Sequence, residues 1–286
     1  MKWPFHFRPK KATRDFQITD LPSNRFQVFF DVLKNEHRVL FATSCLLLLF
    51  LLPYLGWNFF LELQMAQISL SASNGSLSLE EANENIAYLA RLSLVAFPLG
   101  MSLFSLGLAG ASRVIKRLCF LEPVFFWDDM KKGIKENALP LLLSTFLFSL
   151  LLALFAFLRN WQPDQFFWSL GLAIGLIFLL PVYWFFVAVV SFYRLSYGSA
   201  MLLAFRIDFR SYLLFLPFLP FFLAPFAFTF IPDVVLKYLV LVLYLLLFSS
   251  LLLLAFFLFS YSRFDRYINA IHYPEMVDKG IHRKKE

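Results

Sequence analysis

Six long apolar runs organise the chain, at residues 39–60, 87–110, 138–158, 166–192, 212–231 and 234–259. Each holds about 20 residues or more. At about 1.5 Å rise per residue, a helix of that length crosses the roughly 30 Å hydrocarbon core of a bilayer. The pattern therefore predicts an all-α fold, a polytopic membrane bundle of six transmembrane helices. It forms one integral membrane domain, 1–286, with an N-terminal segment 1–38, a membrane core 39–259 and a C-terminal tail 260–286.

The polar intervals differ in kind. Interval 122–137 reads EPVFFWDDMKKGIKEN. On a helix, Phe126, Trp127, Met130 and Ile134 fall on one face, and Asp128, Lys131, Lys132 and Lys135 on the other. This predicts an amphipathic helix lying in the interface before the third run. Similar lead-ins precede the fifth run (199–211) and the first (26–38). All three share an order of aromatic, acid, bases and then apolar plunge, which suggests three copies of an interfacial helix followed by a membrane hairpin. Interval 64–85 carries five serines, then Glu80, Glu81 and Glu84, without Lys or Arg, as a short outer loop would. Its Asn74-Gly75-Ser76 reads better as a plain turn than as a glycosylation acceptor. Connections 159–165 and 232–233 are short enough to demand tight hairpins.

Charge orients this pattern. Of the 26 Lys and Arg, only Arg91, Arg159 and Lys237 lie outside the stretches up to Arg38, 113–135, 194–210 and from Arg263 onward. That one-sided distribution predicts cytoplasmic N and C termini in a plasma membrane. It also assigns the net charge of +7 to anionic headgroups, at about 1 kcal/mol per basic residue, with no need of nucleic acid. With 60% apolar and 16% charged residues, the chain falls outside soluble-domain usage. No short apolar core precedes a small-residue cleavage site in 1–38, so the first run acts as its own anchor. Trp57, Trp161 and Trp168 stand near outer run ends, as an aromatic belt would.

Candidate chemistry is sparse. The middle of every run lacks Asp, Glu, Lys, Arg and His, whose burial in a bilayer costs about 2.5–3.5 kcal/mol and marks ion or substrate paths. Arg91 lies near enough to an outer end to snorkel. His6, His37, His272 and His282 are scattered, and no catalytic, metal or cofactor signature occurs. Cys45 and Cys119 read as small apolar fillers. Prolines at 53, 98, 140, 181, 217, 220 and 225 punctuate the runs, and the fifth, with three, is expected to be the most distorted. Any partner is expected on the 123–137 helix, through Phe126, Trp127, Met130 and Ile134 with Asp128 and Asp129.

The stretch GLAGASRVIKRLCFLEPVFFWDDMKKGIKENALPLLL, 107–143, resembles the YesL-like family of multipass bacterial membrane proteins. The matching positions are Gly107, Gly110, Arg113, Phe126, Asp129, Gly133, Lys135 and Asn137, with Met130 where the family pattern has an aromatic. PVYWFFVAVVSFYRLSYGSAMLLAF, 181–205, is similar to the family's fourth helix and the segment after it. The resemblance implies a non-enzymatic accessory of carbohydrate uptake by an ABC transporter. A permease subunit is the weaker expectation, because Gly133 and Pro140 echo its coupling loop without the leading Glu-Ala-Ala. A small-solute transporter, suggested by the proline-rich runs, is the alternative.

Overall fold

The computed structural model describes residues 21–161 and 166–282. Among them all regular structure is helical: α1 (Arg25–Asn35), α2 (His37–Ser73), α3 (Leu79–Cys119), α4 (Phe126–Trp161), α5 (Phe166–Ile174), α6 (Leu180–Phe192), α7 (Tyr197–Phe215), α8 (Leu219–Ala227), α9 (Val234–Phe264) and α10 (Ala270–His272). A π-helical turn, Gly175–Leu179, joins α5 to α6, and another, Asp265–Asn269, carries α9 into α10. The protein is an all-α membrane helix bundle. Among the described residues five helical stretches are long and apolar enough to cross a bilayer, or six where the bent pair α7–α8 counts as one broken span. The expected hairpin at 159–165 falls largely on residues 162–165, outside the described ones.

The fifth run, 212–231, is not a straight span. Its first residues end α7, and the rest turns through 76° into α8. Pro217 and Pro220 bring no amide hydrogen, so the ordinary ladder fails. Instead the Phe218 and Leu219 amides donate three residues back, to Phe215 O (2.8 Å) and Leu216 O (3.2 Å). Two tyrosine hydroxyls serve carbonyls that lie four residues before a proline. Tyr244 donates to Phe221 O (2.7 Å), which Pro225 cannot serve, and Tyr212 to Ile177 O (3.2 Å), which Pro181 cannot serve. In hydrocarbon such replacement is obligatory. Aromatic stacking then holds the corner: Phe215 lies on Phe222 and Phe222 on Trp184, with centroids 5.9 and 4.4 Å apart.

The interval 64–85 corrects the expected loop. α2 has 37 residues and α3 has 41, about 55 and 60 Å at helical rise. This helical hairpin therefore projects well beyond the apolar layer. The turn is confined to 74–78, where Gly75 takes a φ of 69° that favours glycine. Ser78 and Glu81 then close a capping box on α3, as their spacing requires.

The lead-ins adopt three geometries. α1 is a separate helix, capped by Asn24 accepting from the Gln27 amide and ended at Glu36. α7 is set off from α8 by the 76° bend. The lead-in at 122–137 is not an interfacial helix, because α4 runs unbroken from Phe126 into the membrane. Pro140 lies inside α4, which continues through it. An equivalent unit repeated three times is thus not what the backbone forms.

α3 is the central helix, touching α1, α2, α4, α6 and α9. Its approach to α4 is close: a Cβ on Gly133 would lie 2.7 Å from Ala109 O and 3.0 Å from Gly110 Cα, and one on Gly110 would lie 2.4 Å from Met130 Cε. We predict that Gly133→Ala, which meets backbone, costs about 2 kcal/mol through overpacking. Gly198→Ala, which has open space, is the control. Thermal unfolding in detergent checks this: a matched transition for the two variants contradicts the close crossing.

Candidate functional site

The polar chemistry of the bundle collects at its basic end, because antiparallel helices bring their Lys- and Arg-bearing termini together. On α3, Arg113 and Arg117 are one turn apart and share a face. On α4, Asp129 lies one turn before Gly133, so the close glycine crossing sets it against both arginines. Its Oδ1 is 3.0 Å from Arg117 Nε and 3.6 Å from Arg113 Nε. Its Oδ2 accepts from the Phe125 amide at 2.9 Å, closing the start of α4. Asp129 is 1% exposed, and both oxygens are engaged. The arrangement neutralises a buried charge, which would be very costly alone, and leaves no oxygen facing a substrate. Arg113 also pairs with Glu136, which Arg194 meets at 3.4 Å on the surface. Lys116 donates to Ser191 O at 2.9 Å, satisfying a terminal carbonyl of α6.

A second cluster ties the two ends of the described chain. Arg25 of α1 pairs with Asp265 at 3.1 Å and donates to Lys279 O. Its guanidinium stands 4.7 Å over the Tyr261 ring. Asn269 Nδ2 donates to Asp265 Oδ1 at 2.8 Å, and Asn269 Oδ1 accepts from the Tyr193 hydroxyl at 2.6 Å. Burial, reinforced by the nearby Tyr261 and Asp265, pushes the Tyr193 phenol well up from its ordinary value. It is a hydrogen-bond donor here and no acid.

The residues singled out on the 123–137 helix do not form one exposed face. Phe126 and Met130 are buried in the core, at 6% and 2% exposure, and Asp129 is sealed as above. Ile134 is partly buried. Trp127 and Asp128 alone of the six are exposed. The expectation assumed a helix lying on lipid, whereas α3 covers most of the apolar side. Cys45 and Cys119 are unbridged, and Cys119 is fully buried. Among the described residues no three His, Cys, Asp or Glu side chains group as metal ligands would.

Compared with models of known protein families, with curated proteins and with solved structures, the chain matches none.

Sequence reasoning misses two interactions, one of which leaves a trace there. At the end opposite the basic one Lys237 of α9 pairs with Glu62 of α2 at 2.6 Å, and Tyr238 donates to the same carboxylate at 3.4 Å. A signal for this pair exists: Lys237 stands alone between Arg210 and the basic stretch from Arg263, and Glu62 is the first acid beyond the first run. Arg25 with Asp265 leaves no such signal. In the half away from the basic end, a cavity of about 300 Å³ opens between α2, α3, α4 and α5, with Asn58, Ser93 and Trp57 among its mostly apolar lining.

Asp129→Asn should lower stability by about 3 kcal/mol, the low end of the range for breaking a buried pair, because Arg113 and Arg117 keep 23% and 24% side-chain exposure. Asp128→Asn, on the exposed side, should change stability by less than about 0.5 kcal/mol. Denaturation of the two variants side by side checks the contrast, and equal effects would contradict the assignment.

Proposed function

We propose that the chain is a non-enzymatic, multi-pass protein of a bacterial plasma membrane, accessory to carbohydrate uptake by an ABC transporter, needing no cofactor. The observation that carries this reading is the aromatic filling of the bundle where α6, α7, α8 and α9 meet. Phe185, Phe186, Phe215, Phe256 and Phe257 are each fully buried there. Phe185 packs on Phe256 at 5.4 Å, and Phe218 on Phe259 at 5.0 Å. A solute path at membrane depth needs polar groups facing a cavity, and this region is occupied by rings. The YesL-like resemblance supports the accessory role, since its matching residues Gly110, Arg113, Asp129 and Gly133 are those of the α3–α4 crossing. Trp127 and Asp128 are the positions of the six left outward for a partner. Gathering of the basic residues at one end supports cytoplasmic termini.

A second reading, a small-solute transporter, draws on the broken pair α7–α8 and the cavity between α2, α3, α4 and α5. Uptake of labelled disaccharides into proteoliposomes separates the two. The accessory reading expects no uptake by this protein alone, and saturable uptake by it alone would favour transport. Trp127→Ala with Asp128→Ala should reduce recovery of an ATP-binding partner severalfold at matched membrane levels; unchanged recovery would remove this surface from the proposal.

Orientation is tested separately, in a chain lacking Cys45 and Cys119. A cysteine replacing Ser73 should label from outside intact cells, and one replacing Lys284 only after permeabilisation. The reverse pattern would invert the topology.

A further inference from the structure

At the basic end a cleft of about 270 Å³ opens between α7, the segment linking it to α6, and the α9–α10 terminus. Arg206 and Arg210 line one wall, Tyr267 and His272 the other, and no carboxylate lines it. The two arginines are four residues apart and share a helix face. Asp208, two residues from each, falls on another face, where it is buried with Oδ1 lacking a hydrogen-bond partner. Arg25, Arg113, Arg117 and Arg194 at the same end all meet acids. Among the described residues Arg206 and Arg210 meet none. Arg210 instead rests over the Tyr267 ring, 5.5 Å from its centroid, and Arg266 approaches the same ring at 5.7 Å. The cleft thus carries a pair of arginines with no carboxylate in its lining, one of them resting on an aromatic ring.

The surroundings say what an anion there carries. Leu203, Ile207, Leu195 and Ile268 line the same cleft. The neighbouring outer face of α7 exposes Leu202, Phe205, Phe209 and Leu213, at 52%, 56%, 81% and 77%. An apolar face so exposed on a membrane protein belongs in lipid, which brings Arg206 and Arg210 to headgroup depth. Arginine's planar fork suits two phosphate oxygens at once, and the apolar lining suits the carbon skeleton attached to them. The geometry points to a binding site for a phosphate ester, supplied either by a phospholipid headgroup or by a soluble phosphorylated polyol.

Native mass spectrometry of the full chain in neutral detergent tests this with phosphatidylglycerol, phosphatidylcholine and glycerol 1-phosphate as probes. The unaltered protein should retain phosphatidylglycerol over phosphatidylcholine, whose choline cation opposes the arginines. Arg206→Gln with Arg210→Gln should weaken retention about tenfold or more, since each arginine contributes on the order of 1 kcal/mol. Lys131→Gln, exposed on α4 and outside the cleft lining, should not. Competition by millimolar glycerol 1-phosphate supports the site with a soluble source, and lipid retention without competition supports it with a lipid source. Equal retention of the two lipids without glycerol phosphate binding overturns the proposal even if the double variant fails to fold. Unchanged retention in a folded double variant overturns it as well.

Discussion

A single buried carboxylate sets the geometry of the basic end. Asp129 is held between Arg113 and Arg117 while capping the start of its own helix, so α4 cannot rotate or slide on α3 without exposing a charge to the core. The pairing reaches these distances only because Gly110 and Gly133 let the two backbones meet. Conversely, glycine-lined helices in lipid have little hydrophobic reason to choose one register, since tails and leucines are equally apolar. The ion pair supplies the register that packing alone leaves loose. From α3 the same fixed frame reaches α6 through Lys116 and α1 through shared apolar contact.

Much of the architecture was legible in the residues, for a physical reason. Hydrocarbon demands long apolar helices, so run length and the one-sided basic residues reveal the elements and their alternation. Continuity was less legible. Nothing in EPVFFWDDMKKGIKEN distinguishes a helix lying on lipid from one sealed by a neighbour, because both need an apolar face. Only the partner, α3, decides that Phe126 and Met130 point inward. The projecting hairpin was hidden because serines and glutamates read as loop, though Ser78 and Glu81 at capping-box spacing marked a helix start. Arg25 with Asp265 lay beyond reach, since no local pattern connects residues so distant along the chain.

The prolines show how a backbone defect and a side chain become one unit. Pro181 and Pro225 each leave a carbonyl without its usual donor, and Tyr212 and Tyr244 each bring a hydroxyl from another helix to serve one. Distortion in this bundle is therefore compensated between helices. With Phe215, Phe218 and Phe222 packed on Phe256, the corner between α7 and α8 is held by rings and by borrowed hydrogen bonds.

The clasp between Arg25 and Asp265 spans 240 residues, and Ser44 joins Ser250 across a separation of 206. A chain emerging at about 5–20 residues per second leaves α1 waiting some ten to fifty seconds for its counter-charge. Over that interval the spans between them are still being made, so the bundle stays unclosed. Arrival of the α9 terminus supplies the carboxylate that joins α1 to the rest of the bundle.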